Sequence, residues 1–415
     1  MVTARASASA SASASASASA SASVRRTPAA PPLSHRGAPA SRGAPQGRRH
    51  CAYARPRWLP YSDVVRADGK GRAYEAYDES QQAERTRANH HLGQRKLLVS
   101  EVQLLTEWYA SAAAKRSKRH PLVAYVGAAP GSHDLFLHRL FPRARFVLYD
   151  GRKFDERLRT LPHVFELRNE FFTDAHCAEL LRRTDAAAPG PHAGRPLIFI
   201  SDIRSDAADH GQFEAQVMRD MASQRRWAEQ LKAELSLLKF RLPYTLKAGD
   251  KVPYLPGRLV YGVWPPADSG ETRLLVRKRD LGKVDVQYDF SAYEGAITFH
   301  NHWTRSVCFD DKVPADLAPL LAGPRNAFCS CFDCLTELTT YKRYLDSGAH
   351  ARAFAPDASE AGAGAAGVGQ PIESVEQIAR MYASPRDPEL VSTPSGAARI
   401  LPGAAPRAAI PSSFK

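Results

Sequence analysis

Between residues 93 and 280, short apolar runs alternate with amphipathic ones. In "GQRKLLVSEVQLLTEWYASAAAKR", Leu97, Val102, Leu105 and Tyr109 follow a helical spacing. "VAYV" then reads as a buried strand that stops at Gly127 and Gly131, with a helix over Leu135 to Leu140. "RARFVLYDGR" predicts a second strand ending at Asp150, and "HVFELR" a third, followed by a helix near Ala175 to Leu181. "PLIFISDIRS" is a fourth strand ending at Asp202, and a long polar helix spans Gln212 to Glu234. "LSLLKFRLP" is a fifth, with Lys239 embedded in it, and "RLVYGVW" and "TRLLVRK" add two more.

Strands alternating with helices imply a mostly parallel, doubly wound α/β sheet with helices on both faces. In such sheets ligands bind beyond the carboxyl ends of the strands. Gly127, Asp150 and Asp202 all fall just past strand ends, so three polar or glycine positions share one rim.

Composition confines the fold to the middle of the 415 residues. Residues 1–62 carry no Asp or Glu, nine Arg and an Ala-Ser repeat from Ala6 to Ser23, too little varied apolar surface to offset chain ordering. Residues 351–415 return to Ala, Gly and Pro. The expected layout is a disordered tail over 1–62, one domain over 63–350 and a second disordered tail over 351–415. Of the net charge of +14, the first 62 residues supply nine, leaving +5 for the rest. An arginine-rich tail can hold nucleic acid loosely through its phosphates. It also resembles an organellar transit peptide in composition, but without an amphipathic face. No run of about 18 apolar residues suggests a membrane span, and six cysteines in so long a chain fit a reducing compartment rather than a disulfide framework.

The turn after the first strand is G-x-x-x-G, not the dinucleotide G-x-G-x-x-G, and no P-loop lysine follows. Asp150 at a strand end is placed to accept from a ribose. A nucleoside ligand without pyrophosphate suits this pair, and S-adenosylmethionine is the leading candidate.

From about Tyr77 to Phe309 the chain resembles the poxvirus family of cap-specific mRNA 2′-O-methyltransferases, which doubles as the small subunit of viral poly(A) polymerase. The matching stretches, in family order, are "GQRKLL", "VAYVGAAPGSH", "LYDGR", "ISDIRS", "LLKFRLP", "ETRLL" and "AYEGAITFHNHWTRS". The resemblance implies a Rossmann-like S-adenosylmethionine-dependent methyltransferase domain. It places a Lys-Asp-Lys-Glu tetrad on Lys96, Asp202, Lys239 and Glu271. Taken singly, each of these has a plain structural reading, such as a snorkelling lysine or a helix-capping aspartate. Their joint occurrence carries the assignment.

The chemistry explains the residue types. A ribose hydroxyl must lose its proton as it attacks a methyl carbon in line with the sulfur, so positioning supplies much of the rate. A lysine serves as base once its pKa falls toward the working pH, which burial and a neighbouring cation promote. Lys239 is assigned as the base, Asp202 and Glu271 as its orienting carboxylates, and Lys96 as the tuning cation. For the cofactor the resemblance points to Gln94, Tyr125, Gly127, Gly131, His133, Asp150, Arg152 and Asp202, with Phe172 in "EFFTD" flanking the adenine.

A 7-methylguanine is cationic, so two aromatic rings can sandwich it while a carboxylate accepts from its edge. The family register gives Tyr77 and Tyr244 as the rings and Glu294 as the carboxylate. It also shows departures: Leu246 stands where the family has a guanine-contacting Asp, and Asp268 where it has an aromatic, for which Trp264 or Tyr261 could compensate. Cys329, Cys331 and Cys334 in "FCSCFDC", with Cys308 upstream, lack a pair of C-x2-C spacings, so buried free thiols are expected rather than a metal site.

The expected partners are capped mRNA and a poly(A) polymerase catalytic subunit, in the virion or host cytoplasm. Two other functions compete. An internal or ribosomal RNA 2′-O-methyltransferase would share the tetrad without the cap residues, and a non-catalytic RNA-binding polymerase subunit would need neither.

Overall fold

The computed structural model describes residues 57–59, 93–205, 212–266, 269–305, 307–309, 313–321, 328, 330–357 and 370–382. Tyr77, Asp268, Cys329 and the Cys308 side chain lie outside them. The first half of the chain contributes β1 (Arg57–Leu59), α1 (Gly93–Ala110), α2 (Ala112–Arg116), β2 (Leu122–Val126), α3 (Asp134–Leu140), β3 (Arg145–Tyr149), β4 (Phe165–Arg168), α4 (Asp174–Thr184) and β5 (Leu197–Ser201). Next come α5 (Phe213–Leu231), β6 (Leu235–Phe240), β7 (Lys251–Tyr254), β8 (Arg258–Val260), β9 (Thr272–Arg277), β10 (Val286–Asp289) and α6 (Phe290–Phe299). A π-helical turn over His300–Thr304 leads to β11 (Val307–Phe309), α7 (Ala318–Leu321), α8 (Phe332–Asp346), α9 (Ala349–Phe354) and α10 (Val375–Tyr382).

Seven strands form one sheet in the order β4-β3-β2-β5-β6-β9-β8. The first five are parallel, β9 runs antiparallel to β6, and β8 antiparallel to β9. This is the doubly wound, Rossmann-like α/β arrangement that the alternating pattern implies. The register aligns Val126 with both Tyr149 and Ser201. Gly127, Asp150 and Asp202, the next residue in each case, therefore leave the sheet at one level, as expected of the binding rim.

Both faces of the sheet are covered, which is why its central strands read as continuous apolar runs. Successive side chains of β2 still alternate: Val123 and Tyr125 join one core cluster, Leu122, Ala124 and Val126 the other. The first cluster takes Leu98, Val102, Leu105 and Trp108 from α1, together with α3 and α8. The second takes Leu180 from α4 and Val217, Met221 and Trp227 from α5. Each such large side chain contributes on the order of 1.5–3 kcal/mol when fully buried.

The folded region is wider than the composition suggests. Arg57–Leu59 pairs in parallel with Val307–Phe309, so a strand falls inside the stretch expected to be a tail. At the other end, Ala353, Asp357, Ile372 and Ile378 are buried. Asp357 accepts from His120 N (2.8 Å), Arg195 Nη2 (3.0 Å) and Arg119 Nε (3.3 Å). The boundary at 350 is thereby corrected: a few apolar residues and one carboxylate suffice to dock an Ala-rich segment on an existing core. Cys331 and Cys334 are both buried, and Cys331 Sγ accepts from Cys334 N at the start of α8. No helix among the described residues is long and apolar enough to cross a membrane.

Candidate active site

Four distant segments bring the tetrad together. Lys96 lies in the first turn of α1, Asp202 follows β5, Lys239 lies in β6, and Glu271 immediately precedes β9. Lys239 Nζ is 3.3 Å from Asp202 Oδ1 and 3.5 Å from Glu271 Oε2, and Lys96 Nζ is 4.0 Å from the same Glu271 oxygen. The backbone at Lys239 is clamped by the buried Gln224 of α5, which donates to Lys239 O and accepts from Lys239 N, both at 3.1 Å.

Two arginines absent from the expected set complete the charge cluster. Arg273 Nη1 lies 2.6 Å from Asp202 Oδ1, and Arg204 Nε 3.2 Å from Glu271 Oε1. Each sits two residues beyond a tetrad carboxylate but pairs with the other one, so spacing along the chain does not give the partners. The cluster thus holds four cations against two carboxylates. Burial alone would raise the Asp202 carboxyl, but Arg273, Lys239 and Lys96 outweigh it and hold it well below the usual range. Burial likewise opposes ionisation of Glu271, and Lys239, Arg204 and Lys96 reverse the balance. Burial, then Arg273, pushes the Lys96 ammonium down, with Asp202 and Glu271 opposing.

At the rim, Gly127 adopts φ +79°, and a Cβ there would come within 2.9–3.0 Å of the Asp202 backbone and Ile203 N. Only glycine lets these two strand ends approach so closely. Asp150 closes the rim: it accepts from Ala129 N (3.0 Å), Arg152 N (2.9 Å) and the exposed Arg152 guanidinium (3.1 Å). Gly131 is buried in the same turn at φ +71°.

Three residues expected at the cofactor have enclosed side chains. The Tyr125 side chain is fully enclosed in the first core cluster, because both faces of β2 are covered. His133 is also fully buried, its Nδ1 2.8 Å from Gln94 Oε1 and its Nε2 3.1 Å from Glu101 Oε1. Burial would lower this imidazole, but Glu101 and Asp134 hold it up at about 9, so both ring nitrogens donate. Gln94 accepts from Ser132 Oγ as well, at 3.0 Å, so Gln94 and His133 tie α1 to the glycine turn. Phe172 is buried against Tyr149 and Trp227, with ring centroids at 4.8 and 5.0 Å. The ring exposed at this rim is its neighbour Phe171, 82% accessible and lying over Gly151. A one-residue shift moved the aromatic from core to surface.

Tyr244 lies beside the residue preceding Glu271, and Glu294 lies close to Tyr244. Tyr244 is half exposed, and Arg241 lies under its ring at 4.1 Å. Glu214 fixes this pair, accepting from Arg241 Nη2 (3.0 Å) and Tyr244 N (2.9 Å). The Tyr244 hydroxyl accepts from Gly270 N at 3.2 Å, one residue before Glu271, and a Cβ at Gly270 would clash with that hydroxyl. Glu294 of α6 is buried, with Oε1 lacking a hydrogen-bond partner. Burial raises its carboxyl to about 7, with Arg241 opposing and Glu214 adding. The expected second ring, Tyr77, lies outside the described residues. Trp264 is fully buried and offers no stacking face, Tyr261 packs on His300, and Leu246 packs against the second core cluster.

The chain is similar to a cap-specific mRNA (nucleoside-2′-O-)-methyltransferase of Myxoma virus (strain Lausanne), with 27% identity over 229 residues, 52% of this chain and 62% of that protein. The Fowlpox virus (strain NVSL) protein of the same description is 30% identical over 156 residues, 37% of this chain and 47% of that one. The chain thus spans less than two thirds of the length of these relatives. Among solved structures it is similar to the 23S rRNA methyltransferase ErmE, at 13% identity and a TM-score of 0.21, covering 59% of this chain and 97% of that one. The model of the poly A polymerase regulatory subunit family matches residues 52–313, a span that holds the glycine turn, the tetrad and Glu294, and the chain belongs to that family.

Proposed function

We propose that this protein methylates the ribose 2′-hydroxyl of the first transcribed nucleotide of capped mRNA, with S-adenosylmethionine as donor. The observation that carries this is the convergence of Lys96, Asp202, Lys239 and Glu271 from four segments at the carboxyl end of a parallel sheet. The rim fits the donor: a carboxylate for a ribose diol, an exposed ring for an adenine, and a glycine turn that admits close backbone approach. When bound, S-adenosylmethionine supplies an electrophilic methyl group. Asp150, Arg152, Gly127 and Gly131 would hold its nucleoside, with Phe171 over the base.

The chain's own groups do the rest. Asp202 and Glu271 hold the Lys239 amine where it takes the hydroxyl proton. Tyr244, backed by Arg241, offers a face to a cationic guanine, and Glu294 accepts from its edge. This pair favours a cap over an internal RNA site. Capped mRNA is therefore the proposed partner, together with a poly(A) polymerase catalytic subunit, in the virion or host cytoplasm.

The direct test compares methyl transfer to methyl-capped, unmethylated-capped and uncapped short RNAs. Preference for the methyl-capped RNA supports the reading, and equal rates on all three would hand it to internal RNA. Tyr244→Ala should raise the KM for methyl-capped RNA about ten-fold, since stacking is worth about 1–3 kcal/mol per base. Glu294 can accept from the guanine edge with both oxygens only when ionised, so cap affinity is expected to be highest above about pH 7 and to weaken as pH falls through that value. Glu294→Gln should flatten this dependence, and a wild-type KM that is constant across that range would refute the assigned role. Asp150→Ala should weaken S-adenosylmethionine binding by about 1.5–3 kcal/mol, the scale of a hydrogen bond to a charged group. Unchanged affinity by calorimetry in the folded variant would remove Asp150 from the donor site.

A further inference from the structure

Trp264 has φ +68°, a conformation that a bulky residue rarely adopts and that costs free energy. Its side chain is fully buried, and Nε1 donates to Glu337 Oε2 of α8 at 2.8 Å. The same oxygen accepts from Arg95 Nε at 2.7 Å, while Oε1 accepts from the Tyr341 hydroxyl at 2.8 Å. The Arg95 guanidinium carbon lies 4.6 Å from the Trp264 ring centroid and 5.1 Å from that of Phe328. One turn earlier on α8, Asp333 accepts from Arg305 Nε and Nη2, both at 2.9 Å.

Arg305 belongs to a second set of contacts on the same segment. Its N donates to His300 O at 2.9 Å, closing the π-helical turn and bringing His300, Asn301 and Arg305 to one side. Arg305 Nη2 donates to Pro265 O (2.9 Å), Asn301 Nδ2 to Ser269 O (2.7 Å) and His300 Nε2 to Gly262 O (2.9 Å). Burial holds the His300 imidazole down at about 4, so it stays neutral and keeps the proton it donates. Gly262, Trp264, Pro265 and Ser269 are thus each held by a hydrogen bond, and Ser269 lies two residues before Glu271. Arg95, for its part, immediately precedes Lys96.

We propose that Asp333 and Glu337, an i, i+4 carboxylate pair on α8, are positioning residues for the tetrad. Through Trp264, Arg305 and Arg95 they fix the two segments that carry Glu271 and Lys96, whose charged groups lie 4.0 Å apart. Helix α8 lies beyond residue 313, where the family match ends, so part of the active centre is built from chain outside it. The proposal rests on the methyl-transfer reading above.

Removing a buried carboxylate outright risks unfolding, so the test uses Trp264→Phe, which keeps a ring beside Arg95 but removes the N–H with part of the indole, together with Glu337→Gln, which keeps the shape of the acceptor. Three quantities are read: kcat on methyl-capped RNA, Kd for S-adenosylmethionine, and amide hydrogen exchange over residues 262–271. In Trp264→Phe the exchange should quicken and kcat fall about ten-fold, because displacement by an ångström can cost about a hundred-fold. Donor affinity should stay within about two-fold. Unchanged exchange in both variants, an unchanged kcat despite faster exchange, or parallel loss of kcat and donor affinity would each overturn the proposal. A wild type inactive on capped RNA overturns the functional reading instead, and the exchange comparison still decides whether α8 holds this segment.

Discussion

Lys239→Ala is expected to lower methyl transfer to capped RNA by about 10²–10⁴-fold, the range of a positioned general base, while the affinity for S-adenosylmethionine stays within about two-fold. The Lys239 amine contacts Asp202 and Glu271, whereas the residues proposed to hold the donor nucleoside, Gly127, Gly131, Asp150 and Arg152, follow β2 and β3. The variant should fold, since Asp202 retains Arg273 at 2.6 Å and Glu271 retains Arg204 at 3.2 Å. Lys239→Arg should be equally inactive, because a guanidinium keeps its charge and cannot take the proton. Single-turnover rates on methyl-capped RNA decide the matter: turnover by either variant within ten-fold of wild type would move the base elsewhere in the cluster.

The second large effect falls on stability, far from the chemistry. Asp357→Ala should destabilise the fold by about 3–5 kcal/mol, because it strips a buried carboxylate from Arg195 and leaves that guanidinium enclosed and uncompensated. Arg195 is itself buried, and its other bonds reach only the carbonyls of His120 and Pro191. The melting temperature should drop by roughly 10 °C, given about 2–4 °C per kcal/mol in a domain of this size. A drop under about 2 °C would show that the segment around Asp357 is an ornament on the fold rather than its closure. Methyl transfer at low temperature should be unaffected, since the site lies at the opposite end of the sheet.

The sheet was legible because burial on two faces leaves a plain signal, namely apolar runs bounded by glycine, proline and polar residues. "VAYVG", "FVLYD" and "IFISD" each end at the same level of the register, which aligns Gly127, Asp150 and Asp202. The tetrad was legible through ordered motif words rather than physics alone, since no local property distinguishes Lys239 from a lysine that snorkels at a strand edge.

Which face or depth a side chain takes was much less legible. Phe171 and Phe172 are adjacent and chemically identical, and only the path of the chain after β4 decides which of them packs on Trp227. His133 follows a glycine turn and reads as a loop histidine, but α1 supplies Glu101 and Gln94, and the ring becomes a buried cation. Trp264 looked like a spare stacking ring until α8 enclosed it.

The amino-acid sequence by itself determined the doubly wound sheet and the strand ends that share one level, because periodicity and turn residues are local properties of the chain; the resemblance added Lys96, Asp202, Lys239 and Glu271 as the proposed tetrad. Only the tertiary structure decided that Arg204 and Arg273 join the tetrad, that Phe171 rather than Phe172 faces the rim, and that Asp333, Glu337 and Asp357 close the fold. Those contacts link residues as far apart in sequence as Arg95 and Glu337. A buried charge takes whatever partner the packing delivers, and no spacing along the chain records which partner that is.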